Sequence, residues 1–148
     1  MKKFLVVGCF GVFLLFSCAS TGSTSVSSVA NISGYNYVSI SDSIDSAETT
    51  EELNVGIKIN EALLHTRLQI ISGKEAQNLS EFEKEALLIV KFTVTSDFLN
   101  GSLVSINLFD YNSRRPVASC NGKDVFRYGE PGINKATDDA IKQLQQLF

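Results

Sequence analysis

The chain has 148 residues, of which 44% are hydrophobic and 20% charged, and this composition predicts one globular domain rather than a disordered chain. A formal net charge of −3 excludes the basic surface with which nucleic-acid-binding proteins attract phosphate. Three Cys and one His exclude a disulfide scaffold and a zinc site built from several Cys or His ligands.

Residues 1–17 predict a signal peptide. Two lysines precede an uncharged run from Phe4 to Phe16, which is shorter than the roughly 20 apolar residues that span a bilayer. The run ends in LFSC at Cys18, which resembles a bacterial lipobox and implies diacylglycerol and acyl chains, such as palmitate, on Cys18. Cys9 follows a similar sequence, but too few apolar residues precede it for a signal peptide. An ordinary cleaved signal peptide is the alternative.

The residues after Cys18 predict the location of the protein. Ala19 resembles the residue that follows Cys in outer-membrane-sorted lipoproteins, and no acidic run resembles the surface-export tag of Bacteroidetes lipoproteins. This resemblance implies an anchor at the periplasmic face of the outer membrane. Residues 18–33 are rich in Ser and Thr and predict a flexible tether with a reach of about 20 Å. A single domain is therefore expected at 34–148.

Hydrophobic periodicity gives the elements of this domain. A capping box at Thr49 starts the first helix, Asn100-Gly101 predicts a hairpin turn, and Ile133, Ala136, Ala140 and Leu144 share a helix face. Residues 74–86 favour a short surface helix. The main elements are strand 35–40, helix 50–66, strands 68–71, 87–95, 103–109 and 117–120, and helix 133–147. The order β-α-β-β-β-β-α predicts an α+β two-layer sandwich, with a mainly antiparallel sheet of four to five strands and two helices on one face.

Alternation along the strands predicts the face on which each side chain lies. The face toward the helices is expected to hold Val38, Ile40, Leu88, Val90, Phe92, Val94, Val104, Ile106 and Leu108. The opposite face mixes polar side chains with apolar ones, a composition typical of protein interfaces. We therefore predict a partner surface at Tyr35, Tyr37, Ile89, Leu103 and Phe109. The alternative is that the loop 121–132, with Phe126 and Tyr128, covers this face.

The segments EALLHTRLQII, LLIVKFTV, GSLVSINLFD and SRRPVASCNG resemble a group of small periplasmic lipoproteins with uncharacterised domains. Their element order is similar to that of the TolB N-terminal domain and of the lipoprotein activators of penicillin-binding proteins. The resemblance covers most of the domain and rests on pattern. It implies no catalytic residues and an adaptor or structural role in the cell envelope.

Few residues predict chemistry. The chain has no Gly-x-Ser-x-Gly nucleophile elbow to accompany His65, which is expected to end the first helix, so we predict no enzyme. The acidic loop around Asp42 lacks the Gly and Glu of a calcium loop, and no metal or cofactor other than the lipid is expected. Arg114 and Arg115 at a turn predict an anion contact, with a solvated pair as the alternative.

Two short motifs lie in the polar loop before the first helix. Asp42-Ser43-Ile44 and Asp45-Ser46-Ala47 resemble the O-glycosylation sequon of Bacteroidetes. The resemblance implies glycans on Ser43 and Ser46. The alternative is a Ser- and Asp-rich loop that carries no modification.

These observations together predict a non-enzymatic, outer-membrane-anchored lipoprotein that binds another envelope protein or a second copy of itself. The alternative is an envelope lipoprotein that binds a small ligand or lipid, similar to a lipopolysaccharide-transport accessory. A deep apolar pocket between helices and sheet would favour the ligand binder. A closed core with an apolar outer patch would favour the protein binder.

Overall fold

The computed structural model describes residues 23–26, 31–40 and 47–148. In this part of the chain a six-stranded sheet carries four α-helices, so the fold is α+β. The strands are β1 (Ser23–Val26), β2 (Tyr37–Ile40), β3 (Gln69–Ile70), β4 (Leu87–Asp97), β5 (Gly101–Asp110) and β6 (Pro116–Asp124). The helices are α1 (Thr50–Leu64), α2 (Gly73–Asn78), α3 (Glu81–Glu85) and α4 (Glu130–Leu147), and a 3-10 turn lies at Ile32–Gly34.

The strand order across the sheet is β1-β6-β5-β4-β2-β3. Strands β4, β5 and β6 form an antiparallel meander, and β1 adds to it antiparallel. Strand β2 instead runs parallel to β4 and to β3, as expected when α1 carries the chain from β2 to β3. The sheet is therefore mixed, with more antiparallel than parallel pairings.

Strand β1 corrects the sequence analysis, which expected four to five strands and placed residues 18–33 in a tether. Ser23 lies opposite Asn121 and Val26 opposite Ala118. Such pairing uses main-chain N–H and C=O groups, so a Ser- and Thr-rich edge strand gives no hydrophobic signal. The Thr24 hydroxyl also donates to Oε1 of Gln143 on α4 at 2.7 Å. The described fold thus begins before residue 34.

Helices α1 and α4 cover one face of the sheet, and the predicted alternation is confirmed. Six of the nine side chains expected there are fully buried, and Ile40, Phe92 and Val94 are partly buried against them. The helices contribute Val55, Ile59 and Leu63 from α1 and Ile133, Ala136, Ala140 and Leu144 from α4. This face is a closed core.

The prediction of helices on one face is wrong for the other side of the sheet. Ala76 of α2 and Leu79 after it pack with Leu87 and Tyr37 in a second cluster. The helix is too short to show hydrophobic periodicity, which is why its covering role was missed. Two capping boxes start α2 and α3, one formed by Ser72 and Glu75 and the other by Ser80 and Glu83.

Helix α4 begins three residues before its predicted start. Pro131 lies in its first turn, where the missing N–H removes no helical hydrogen bond, so it does not break the helix. The helix packs closely on β6 at Gly122. A Cβ at this position would lie 1.8 Å from the carbonyl oxygen of Ala136, so the approach requires glycine.

The predicted hairpin turn is confirmed, with a loop of Phe98, Leu99 and Asn100 between β4 and β5. Gly101 closes it with φ +76°, as in three-residue hairpin loops with a residue in the left-handed region. The Asp97 carboxylate accepts hydrogen bonds from the backbone N–H of Leu99 at 2.9 Å and of Asn100 at 2.7 Å. The turn is therefore held by its own side chains.

Candidate interaction surfaces

The predicted partner surface does not form one patch. Ile89 is buried and lies opposite Phe109 in the sheet, while Tyr37 packs in the cluster that α2 covers. Leu103 and Phe109 remain partly exposed. They lie six positions apart on β5, which is about 20 Å along a strand. Two of the five predicted residues thus keep a place on an accessible face.

Tyr35 lies on the helix side of the sheet, so its assignment to the opposite face is wrong. It packs against the core because it precedes β2 and follows the 3-10 turn, where strand alternation does not apply. The Arg67 guanidinium holds this segment by donating to the carbonyl oxygens of Tyr35 and Ile32. Arg67 also stacks over the ring of Phe148 at 5.6 Å.

The hydroxyl of Tyr35 donates to Oδ2 of Asp110 at 3.2 Å. Burial, together with this carboxylate, raises the pKa of Tyr35 to about 12. Burial acts to raise the pKa of Asp110 as well, but hydrogen bonds from Ser113 and Tyr35 outweigh it and lower that pKa. At neutral pH the pair is therefore a neutral phenol bound to a carboxylate. It joins the segment before β2 to the end of β5 and stabilises the fold.

The sheet surface opposite α1 and α4 is open over β1, β6, β5 and the second half of β4. We call it the open face. Its side chains, by strand pairing and alternation, are Lys91, Thr93, Thr95, Leu103, Ser105, Asn107, Phe109, Ser119, Asn121, Lys123, Ser23 and Ser25. The loop 121–132 does not cover it, because residues 121–124 belong to β6 and Phe126 is 93% exposed. The open face is thus a surface of mainly small polar groups, with two lysines and with one apolar residue near each end.

A groove of about 520 Å³ lies beside α2 on the same side of the sheet. Ser39, Gln77, Ile89 and Tyr111 line it together with two cations, Lys74 and Arg114. The space between α1, α4 and the sheet, where a ligand binder would need a deep apolar pocket, is filled by core side chains. The groove is therefore one feature of the described residues that can take a small ligand.

The two arginines predicted to contact an anion have different positions. Arg114 lines the groove and stacks over Tyr111 at 4.8 Å, and its backbone has φ 58°, in the left-handed region. Such a conformation costs roughly 1–2 kcal/mol for a residue with a Cβ. Its N–H donates to the carbonyl oxygen of Asp110, which holds the turn. Arg115 is exposed and does not line the groove.

The thiol of Cys120 and the imidazole of His65 lie at positions that serve the fold. Cys120 is fully buried in β6, and burial raises the pKa of its thiol to about 11. His65 is the C-cap of α1 and is exposed. Among the described residues no three Cys, His, Asp or Glu side chains come together as a metal site. Over the same residues, no helix is long and apolar enough to cross a membrane.

One surface was missed by the sequence analysis. Exposed apolar side chains gather where the β4–β5 turn meets the β6–α4 loop, and we call this the apolar end. It comprises Phe98, Leu99, Val125, Phe126 and Tyr128. The signal available in the sequence was a pair of apolar residues inside a predicted turn, where polar residues are usual.

The lipidation site Cys18 and the predicted glycosylation sites Ser43 and Ser46 lie outside the described residues. The signal peptide does too. These assignments stay predictions, and so does the resemblance to TolB and the penicillin-binding-protein activators.

Comparison with known proteins gives neighbours by structure alone, since no family model and no curated protein matches the chain. A PelC dodecamer from Paraburkholderia phytofirmans aligns with TM-score 0.50 and 16% identity, over 85% of this chain and 97% of that one. A second crystal form of PelC gives TM-score 0.45 at 16% identity, over 85% and 96% of the two chains. A homolog of neuraminyllactose-binding hemagglutinin from Helicobacter pylori gives 0.36 at 14% identity, over 75% and 78%. The first of these alignments shows that the chain shares its overall fold with PelC.

Proposed function

We propose that this chain is a lipoprotein anchored through Cys18 at the periplasmic face of the outer membrane, and that it acts by binding protein rather than by catalysis. The observation that carries the proposal is the open face. One side of the sheet is closed by α1 and α4, while four strands of the other side present their side chains to solvent. A closed core with an apolar outer patch would favour a protein binder, and the open face contributes Leu103 and Phe109 toward such a patch.

The composition of the open face supports this reading. Neutral Ser, Thr and Asn side chains occupy its centre, so a partner can desolvate that part without burying a charged group there. The two cations of the open face, Lys91 and Lys123, lie nearer its ends. Leu103 and Phe109 add apolar contacts near its two ends. Protein interfaces commonly combine polar groups with aromatic and aliphatic contacts in this way.

The strongly shifted groups support a role without catalysis. Catalytic nucleophiles and bases have pKa values adjusted toward neutrality. The pKa of the Cys120 thiol and that of the Tyr35 phenol are instead raised to about 11 and about 12. Both groups are held neutral at physiological pH, and Cys120 is inaccessible as well.

Self-association is the mode of binding that we favour. The PelC protein that shares this fold is a dodecamer. A second copy would be presented at high local concentration, because lipid anchors confine all copies to one membrane surface. Another envelope protein is the other partner that this surface can serve.

The oligomeric mass of the acylated, detergent-extracted protein tests this mode. Light scattering is expected to give a multiple of the monomer mass for the wild type and the monomer mass for Leu103→Lys with Phe109→Glu. The contrast variant is Ile57→Glu with Leu64→Lys, which changes the 45% and 65% exposed side chains of α1. If only the α1 variant has the monomer mass, the interface lies on that helix. A wild type of monomer mass would exclude self-association.

The groove favours a second candidate function, the binding of a small anionic ligand. Two cations, Lys74 and Arg114, face the same groove. Native mass spectrometry of protein purified gently from its host is expected to show a bound mass that Arg114→Gln loses. The matched control is Arg115→Gln, the neighbouring residue outside the groove. A spectrum with no bound mass, or equal loss in both variants, would contradict this function.

A further inference from the structure

No described residue covers the apolar end. Phe98 is 78%, Leu99 87% and Phe126 93% exposed, and Tyr128 is 58% exposed. The rings of Phe98 and Tyr128 meet edge to face, with centroids 5.4 Å apart and an interplanar angle of 73°. Two loops that are distant in sequence thus present one apolar surface.

Hydrogen bonds fix this surface in place. The carboxylate of Asp124, itself 6% exposed, accepts from the N–H of Phe126 at 2.9 Å and from Nε of Arg127 at 2.9 Å. The Ser96 hydroxyl accepts from the N–H of Gly129 at 2.7 Å, which ties the β6–α4 loop to the end of β4. The aromatic side chains are therefore held outward by the surrounding fold.

The direction of β1 relates this end to the lipid anchor. Because β1 is antiparallel to β6, with Ser23 opposite Asn121 and Val26 opposite Ala118, Ser23 starts β1 at the same end of the sheet as Phe126. Cys18 is five residues before Ser23. Even a fully extended chain of that length spans at most roughly 18 Å. An acylated Cys18 therefore holds this end of the domain close to the bilayer.

We infer that the apolar end docks on the surface of the bilayer that holds the acyl chains, with Phe98, Leu99 and Phe126 at the headgroup–acyl boundary. Apolar and aromatic side chains insert at this boundary, and Tyr is enriched at headgroup level. The inference rests on the proposed lipidation of Cys18. It gives the domain an orientation, with the strands directed away from the membrane and the open face turned sideways toward neighbouring copies.

The chain contains no Trp, so one introduced Trp reports on one site. Acylated full-length Phe126→Trp is reconstituted in vesicles of phosphatidylethanolamine and phosphatidylglycerol that contain brominated acyl chains. The control is Phe82→Trp, an 82% exposed position on α3, before the start of β4 and so at its opposite end. We expect blue-shifted emission and at least twofold quenching by bromolipid for Trp at 126, with little change for Trp at 82.

The outcomes separate this inference from the proposed function. If both proteins incorporate into vesicles and Trp at 126 is quenched no more than Trp at 82, the docking inference is overturned and the anchor stands. If neither protein incorporates, the anchor fails and the docking fails with it. Emission that shifts with protein concentration but not with bromolipid would assign the apolar end to contact between copies, and this also overturns the inference.

Discussion

At the scale of single residues, burial decides the chemistry of Cys120. Its side chain is fully buried among core residues on the helix side of β6. The thiolate would lose its hydration there, so the pKa of the thiol is raised from 9.0 to about 11. The sequence analysis already implied that this thiol forms no internal disulfide, because the other two Cys lie within the predicted signal peptide and lipobox.

Stability is expected to fall as the pH rises from about 9 toward 11. The unfolded chain ionises Cys120 first and so binds fewer protons than the folded one, which makes the free energy of unfolding decrease with pH. Two pKa units correspond to roughly 2–3 kcal/mol. Urea unfolding at several pH values should show this loss of unfolding free energy. The loss should be smaller in Cys120→Ala, where Tyr35 still contributes above pH 10. Parallel pH profiles for the two proteins would contradict the assignment.

The proposed anchor also depends on one residue. Cys18→Ala is expected to abolish incorporation of radiolabelled palmitate and to leave the unprocessed precursor, because the lipobox Cys is the acceptor of the diacylglycerol. Cys9→Ala is the matched control and should be labelled and processed like the wild type. Loss of labelling in Cys9→Ala but not in Cys18→Ala would show that the signal peptide is shorter than we predict.

At the scale of elements, the contact of β6 with α4 depends on Gly122. Ala at this position is expected to destabilise the protein by more than about 3 kcal/mol, because the Cβ would overlap the helix backbone rather than a flexible side chain. Gly73→Ala is the control, since no heavy atom lies within 4 Å of its added Cβ. At that helical position Ala should be neutral or stabilising by up to about 1 kcal/mol. Equal unfolding midpoints for the two variants would contradict the close packing.

Elements also show what could be predicted from the sequence. The helix-facing set from Val38 to Leu108 is correct because alternation is a local property of each strand. Leu53, Ile57 and Leu64 share one face of α1, and Val55, Ile59 and Leu63 share another. The first face remains exposed, because helical spacing alone does not say which of two apolar faces meets the core. Strand β1 and the covering role of helix α2 were missed for a related reason, since both depend on pairing or packing partners distant in sequence.

The candidate surfaces were harder to predict than the core. The composition of the strands indicated an accessible sheet face, but the five residues chosen for it do not share that face. Helix α2 covers Tyr37, and the turn before β2 puts Tyr35 on the other side of the sheet. The apolar end depends on two loops that meet only in the folded chain, at Phe98 and Tyr128. The local sequence pattern tells on which face of a strand each side chain lies, whereas the topology of the fold decides which elements pack against that face.

At the scale of the whole molecule, we propose a partner-binding surface on one side of a sheet that a lipid anchor holds near the membrane. This arrangement explains why one face of the sheet is closed by α1 and α4 while the other is left open between α2 and β1. It also predicts that contacts formed in the cell involve the centre of the open face rather than α1.

A photo-crosslinking amino acid at Thr93 of the full-length protein, in living cells, tests this claim most directly. Thr93 is exposed on the open face, midway along β4, so the substitution should leave the fold intact. The account predicts a specific adduct, of dimer mass if the partner is a second copy, and no adduct from the same group at Leu64 on α1. An adduct at position 64 alone, or none at either position, would contradict the claim that the open face binds protein.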